Sequence, residues 1–283
     1  MKTLLFTALA LVAFAGNSVL CRLALKDGAI DAASFTWIRL LSGIVVLLLL
    51  FSQSKTSTAA PSKGSWKAAF MLFLYAITFS FAYTLLDTGT GALILFASVQ
   101  ITMILAEFMS GKRPLWAEWV GVAMAFMGFV YLVLPSVSTP SLSGFLLMCL
   151  SGVAWGYYTL AGKGSRFPLS DTTFNFARTL PLLALLFAFT FHDIQANADG
   201  IILAVISGGL TSALGYAIWY VALGGLSGIQ ASVLQLLVPV IAALGGVLFA
   251  GEVLSMRLMV SSAIILSGIL VVILGKYFSL RVR

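Results

Sequence analysis

The stretch "LQLLVPVIAALGGVLFAGEVL", Leu234–Leu254, decides how the chain is read. It is an apolar run of about the length a helix needs to cross a bilayer, roughly 20 residues. It carries Pro239 inside it, small residues at Ala242, Gly246 and Ala250, and an abrupt Gly251-Glu252 at its end. A proline removes one backbone N–H and leaves the carbonyl four residues earlier, here that of Gln235, without its helical donor. In lipid an unpaired carbonyl is costly, so this turn has to face protein or a wet cavity. Small residues at every fourth position form a face on which a second membrane helix can approach closely. Gly251 suits a helix C-cap. The stretch therefore predicts a membrane helix with a close neighbour. Gln235 would line a passage and Pro239 act as the hinge that lets the helix bend between two states, or the proline sets a static kink whose freed carbonyl bonds a neighbouring Ser or Thr.

The rest of the chain asks for the same solvent. Of its 283 residues 61% are hydrophobic and 9% charged, with a mean hydropathy of +1.09. A soluble domain has about a quarter of its residues charged. Runs long enough to span place ten helices, near Leu4–Leu25, Ser34–Phe51, Lys67–Leu86, Gly91–Met109, Leu115–Leu134, Leu142–Ala161, Thr172–Phe191, Ile201–Ala222, Ile229–Phe249 and Met256–Tyr277. Their length, with no short alternating segments, excludes a barrel. The start "MKTLLFTALALVAFAG" looks like a signal peptide, but its apolar run continues through "NSVLCRLAL", so it reads as the first span. Cys21 and Cys149 lie inside apolar segments without metal-ligand spacing and read as small apolar side chains.

The net charge of +7 is explained by orientation rather than by a nucleic-acid partner. With the amino end in the cytoplasm, that side receives Lys2, Lys55, Lys63, Lys67, Lys112, Arg113, Lys163, Arg166, Lys276, Arg281 and Arg283. The other side receives Arg22, Lys26 and Arg257. Positive residues accumulate inside, so both termini are predicted to be cytoplasmic.

The chain also resembles itself. "FAGNSVLCRLA" from Phe14 aligns with "WGYYTLAGK" from Trp155, "FTWIRLL" from Phe35 with "FNFARTL" from Phe174, and "FAYTLL" with "LGYAIW". "GVAMAFMGFVYLVL" aligns with "SSAIILSGILVVIL" in the same order. These matches put Arg39 on Arg178 and Tyr83 on Tyr216. The reading is a first repeat at 1–135, a linker at 136–141 and a second repeat at 142–283. Each half holds an odd number of helices, so the second copy enters the bilayer inverted. Inverted repeats mark transporters, whose site lies near the midplane between the halves. The fold class expected is all-α integral membrane, with ten transmembrane helices in two inverted five-helix repeats.

These features, with the ending "PVIAALGGVLFAGEVLSMRLMVSSAIILSGILVV", resemble the drug/metabolite transporter superfamily in its EamA-type branch. The overall look is most similar to bacterial aromatic amino-acid exporters of the YddG type. The resemblance implies an inner-membrane exporter with a central cavity and alternating access. One departure is visible: Gly251-Glu252 of the second half becomes Gly111-Lys112 in the first.

A substrate site should show polar and aromatic groups where lipid-facing helices carry only aliphatic ones. Asn17 sits mid-span in the first helix. Tyr75, Phe79 and Tyr83 share one face of the third at i, i+4 and i+8. Trp155 and Tyr158 share a face of the sixth, and Tyr216 and Trp219 one of the eighth. Together they suit a flat apolar substrate by stacking. Individually, each also suits helix packing. Arg39 and Arg178, at matched positions in the second and seventh spans, are candidates for a substrate carboxylate. The alternative is that they snorkel or pin their helices. No carboxylate falls mid-span, which argues against a proton relay. His192, the lone histidine, lies at a helix end, and the sequence has no HExxH, GxSxG or P-loop. An enzyme is therefore not expected, nor a metal or cofactor. The partners implied are a small-molecule substrate and the lipid bilayer. Another solute class in the same fold, or a non-transporting receptor or assembly subunit, remains open, as does the oligomeric state.

Overall fold

Helix boundaries fall where short polar residues interrupt the apolar runs. The computed structural model describes residues 2–54, 63–109, 115–133, 140–162, 165–223 and 234–281. The first half holds α1 (Lys2–Lys26), α2 (Ala32–Gln53), α3 (Trp66–Tyr83), α4 (Thr88–Met109) and α5 (Trp116–Val133). The second holds α6 (Leu142–Gly162), α7 (Pro168–Ala177), α8 (Leu180–Thr190), α9 (Ala198–Ile206), a π-helical segment (Ser207–Leu214), α10 (Gly215–Leu223), α11 (Leu237–Ala250) and α12 (Met256–Arg281). Seven helical stretches are long and apolar enough to cross a membrane, accompanied by the shorter apolar helices Trp119–Leu132, Leu237–Ala250 and Met256–Val272. No strand occurs among the described residues, only an isolated bridge between Ile30 and Ala196. The linker at 136–141 and the Lys112 loop lie mostly outside the described residues.

Side-chain caps start several helices. Asp31 accepts from the Ser34 amide at the head of α2, Ser65 from Ala68 at α3, and Asn197 from Gly200 at α9. Each cap satisfies an amide that has no partner within its own helix. Gly251 ends α11 at φ 63°, and its amide bonds the carbonyl of Gly246, as a left-handed C-cap requires.

Three of the expected spans differ in the structure. The seventh is not one helix from Thr172 to Phe191 but two, separated at Arg178 and Thr179. Pro181 supplies the reason, because its ring conflicts with the carbonyl of Ala177, the last residue of α7. The eighth is continuous from Ala198 to Leu223 but widens into the π-helix over Ser207–Leu214. In the ninth, helix is interrupted at Leu236, and Pro239 lies in the first turn of α11. There the missing N–H costs nothing, since first-turn amides have no intrahelical acceptor. Pro239 thus stands three residues after a one-residue interruption of the helix at Leu236. The upstream part of that expected span, 229–233, lies outside the described residues.

Packing follows the small residues. α5 lies antiparallel to α12, with α3 against α6, α4 against α6 and α11, and α1 against α10 and α11. A Cβ on Gly121 would stand 2.3 Å from the carbonyl oxygen of Gly268, and one on Gly268 2.6 Å from that of Gly121. The face of Ala242, Gly246 and Ala250 is buried, and Gly246 meets Thr88 at the head of α4. The closest approach joins α2 to the π-helix, where a Cβ on Gly208 would fall 1.9 Å from the Arg39 carbonyl oxygen. Gly208→Ala should therefore lower thermal stability in detergent by about 1–3 kcal/mol. Gly209→Ala, whose Cβ meets only Val46 at 3.1 Å, should cost clearly less.

Candidate functional site

The π-helix brings hydroxyls to the centre of the molecule. Its i to i+5 repeat puts Ser207 and Ser212 on one face, with Thr211 beside them. Ser207 Oγ donates to Asn17 Oδ1 at 2.6 Å. Asn17 Nδ2 in turn donates to the Tyr75 hydroxyl at 3.3 Å. The same hydroxyl accepts from Arg39 Nη2 at 3.0 Å, and Arg39 Nε donates to Ser212 Oγ at 3.2 Å. One network therefore joins α1, α2, α3 and the π-helix. Arg39 is 1% exposed, its guanidinium carbon 4.9 Å from the Phe79 ring centroid and 5.2 Å from that of Tyr75. Nη1 has no hydrogen-bond partner among the described residues.

Aromatic rings wrap this network. Tyr83 packs edge-on to Phe79 at 4.7 Å, Phe79 lies 5.3 Å from Tyr75, and Tyr75 lies 4.8 Å from Trp155. Trp155 continues to Tyr216 at 4.8 Å and to Tyr158 at 5.4 Å. Phe14 bridges Tyr216 and Trp219. The enclosed cavity, of about 20 Å³, is lined by Asn17, Tyr75, Phe79, Trp155 and Tyr216 together with Phe14, Ser18, Leu95, Phe96 and Thr211. That is room for about one water, and far below the 300–1,000 Å³ of a ligand pocket.

Most residues expected at the site thus come together: Asn17, Tyr75, Phe79, Trp155 and Tyr216 line the cavity, while Tyr83, Tyr158, Trp219 and Arg39 lie directly behind it. Three do not. Arg178 sits at the break between α7 and α8, donates to the Lys63 carbonyl and stacks on Trp66 at 5.6 Å. Gln235 and Pro239 flank the interruption before α11 and are not among the residues lining the cavity. Sequence reading missed Ser207, Thr211 and Ser212. Hydroxyls at i, i+4 and i+5 around Gly208-Gly209 in an apolar run were the available signal.

At one end of the bundle, charges close the structure. Arg22 near the end of α1 donates to Glu252 at 3.2 Å, to the Tyr83 carbonyl at 3.0 Å and to Asp87 at 3.0 Å. Glu252 caps α4, accepting from the Thr88 amide and hydroxyl at 2.9 Å. Lys26 adds a 2.6 Å bond to the Ala250 carbonyl. The ends of α1, α3, α4 and α11 are thereby tied together. At the opposite end the contacts are weaker in charge. The Gly64 amide donates to Asp171, and that of Ser65 to Asn175. Beside them an apolar recess of about 640 Å³ opens between Trp66, Phe70 and Met71 of α3 and Tyr157 and Leu160 of α6.

With this geometry in hand, comparison with known proteins identifies the architecture. The model of the EamA-like transporter family matches residues 1–134 and again 142–274. An uncharacterised protein of Pseudomonas aeruginosa is 48% identical over 272 residues, 96% of this chain and 94% of that protein. The threonine/homoserine exporter RhtA of Escherichia coli is 25% identical over 256 residues, 83% of this chain and 80% of RhtA. A probable amino-acid metabolite efflux pump of Salmonella typhimurium is 24% identical over 216 residues, 70% of each chain. A crystal structure at 18% identity shares the fold with a TM-score of 0.64, covering 94% of this chain and 98% of its own.

The clasp at the Arg22 end separates two kinds of ion pair. The side chains of Arg22 and Glu252 are 13% and 8% exposed, whereas that of Asp87 is 58% exposed. Breaking an enclosed pair leaves an uncompensated charge, so Glu252→Gln should cost on the order of 3 kcal/mol. Asp87→Asn should cost no more than about 1 kcal/mol. Thermal unfolding of both variants in the same detergent measures the difference.

Proposed function

The chain belongs to the EamA-like transporter family, and from that premise we propose that it exports amino acids with aromatic side chains by alternating access. It is a multi-pass transporter of the bacterial inner membrane and not an enzyme. The low-identity relatives named for amino-acid metabolite efflux and for threonine and homoserine export support a cargo of small metabolites. The observation that carries the aromatic reading is the unbroken chain of ring contacts from Tyr83 through Phe79, Tyr75 and Trp155 to Tyr216, with a cavity at its middle. A planar cargo entering there exchanges ring–ring contacts for equivalent ones, each good pair contributing about 0.5–1.5 kcal/mol beyond area burial.

The two-repeat reading is supported by the packing. Exchanging the halves turns α3 against α6 into α9–α10 against α1, and α4 against α6 into α11 against α1, both of which occur. The pairs α4 with α11 and α5 with α12 map onto themselves. In this mechanism the 20 Å³ cavity belongs to a contracted state that must open at one end to admit cargo. With the termini cytoplasmic, the Arg22 clasp closes the outer end and the Trp66 recess faces inward. The described carboxylates lie at helix ends and loops, leaving the centre without an acidic proton carrier.

Radiolabelled L-phenylalanine counterflow in proteoliposomes tests the reading. Wild type should show counterflow, and Trp155→Ala should reduce its rate by at least about tenfold, the worth of one lost aromatic anchor. A protonophore should leave the rate unchanged while the substrate gradient is held constant. Absence of counterflow with every amino acid would remove the assignment.

A further inference from the structure

The centre of the molecule holds one formal positive charge with no anion beside it among the described residues. Arg39 spends Nε on Ser212 and Nη2 on the Tyr75 hydroxyl, while its buried Nη1 has no partner. The described carboxylates are engaged or placed elsewhere. Asp31 caps α2, Asp87 and Glu252 hold Arg22, and Asp171 binds the Gly64 amide. Asp27, Asp193 and Asp199 stand in connections or in a first helical turn. Enclosing a lone guanidinium within a membrane protein is expensive, and ionisable groups kept there mark a pathway for cargo.

The Tyr75 hydroxyl carries this charge to the cavity wall. Its oxygen accepts from Arg39 Nη2 and from Asn17 Nδ2, which uses both acceptor positions. The Tyr216 hydroxyl shares a hydrogen bond with it, and both rings line the cavity, so a carboxylate entering there meets a pair of phenol groups. A donor backed by a guanidinium, with a second free donor at Nη1, matches a carboxylate. An ammonium would find ring faces in this lining but no carboxylate. Asn17 Oδ1 already accepts from Ser207, and an ammonium would share a low-dielectric pocket with the guanidinium.

We propose, resting on the transport reading above, that the central site recognises its cargo by a carboxylate docked on the Tyr75 hydroxyl and Arg39 Nη1, and does not read an α-amino group. Aryl carboxylic acids that lack the amino group are then cargo on the same footing as the amino acids, because the anion alone neutralises the site.

Isothermal titration of the purified full chain in lipid nanodiscs tests this with four ligands: L-phenylalanine, 3-phenylpropionate, L-phenylalaninamide and 2-phenylethylamine. The deaminated acid should bind as tightly as L-phenylalanine or more so, and the amide and the amine at least about tenfold more weakly. In Arg39→Gln the preference for acid over amide should collapse to within about threefold. The wild-type series decides the matter even where that variant folds poorly. Equal binding of the amide or the amine overturns the proposal. So does 3-phenylpropionate binding about tenfold or more below L-phenylalanine, or failure of every carboxylate to bind. If aromatic acids fail while an aliphatic acid such as pentanoate binds in an Arg39-dependent way, the carboxylate site stands and the aromatic assignment falls.

Discussion

A guanidinium enclosed among lipid-bathed helices sets the conditions that the rest of the centre meets. Arg39 brings five N–H donors and a charge to a place where no described carboxylate is at hand. Its neighbours are accordingly hydroxyls and ring faces: Ser212, Tyr75 and Phe79. Reaching Ser212 requires the helix of α9 and α10 to come against the backbone of α2, which only Gly208 permits. It also requires the π-helical widening, since an ordinary helix would rotate Ser207 and Ser212 onto different faces. The wide turn, the glycine pair and the hydroxyl cluster thus share one cause.

The two ends of the bundle are held by different physics. At the Arg22 end, one guanidinium and one carboxylate each bridge several backbone groups, so the ends of α1, α3, α4 and α11 separate only together. At the Trp66 end, Asp171 and Asn175 receive single backbone amides, next to an open apolar recess. Where the alignment of the halves puts Lys112 on Glu252 it puts Gly162 on Arg22, so the same ion pair is not expected there. The Arg22 end thus carries paired ions, while at the Trp66 end Asp171 and Arg178 each bond backbone groups.

Much of this was legible in the sequence, for identifiable reasons. Apolar run length gave the helices because lipid leaves the backbone no alternative. The i, i+4, i+8 stripe on α3 and the pairs on α6 and α10 gave the aromatic centre because helical spacing fixes which rings can meet. The Gly251 cap was legible from its position after a run of small residues. The π-helix was not, because hydropathy sees composition and not the width of a turn. The Arg22 clasp was missed because its members come from Arg22, Asp87 and Glu252, separated by most of the chain, and each looks like an ordinary loop charge alone. The interruption at Leu236, three residues before Pro239, was not legible either, because a proline marks a weak point in a helix without saying at which residue it gives way.

The unequal fates of Arg39 and Arg178 follow from a single residue. The sequence alignment of the two halves pairs these arginines, and two equivalent buried cations would repel each other. α2 runs unbroken past Arg39 to Gln53, which carries the guanidinium into the interior. Three residues after Arg178 comes Pro181, which ends α7 at Ala177 and restarts the helix at Leu180. The break turns Arg178 away to the Lys63 carbonyl and the face of Trp66, where solvent and a ring accommodate its charge. Phe176, which the repeat aligns with Trp37, remains buried against Gly43 and Tyr216. The second half therefore contributes a buried ring at the position where the first contributes the charge.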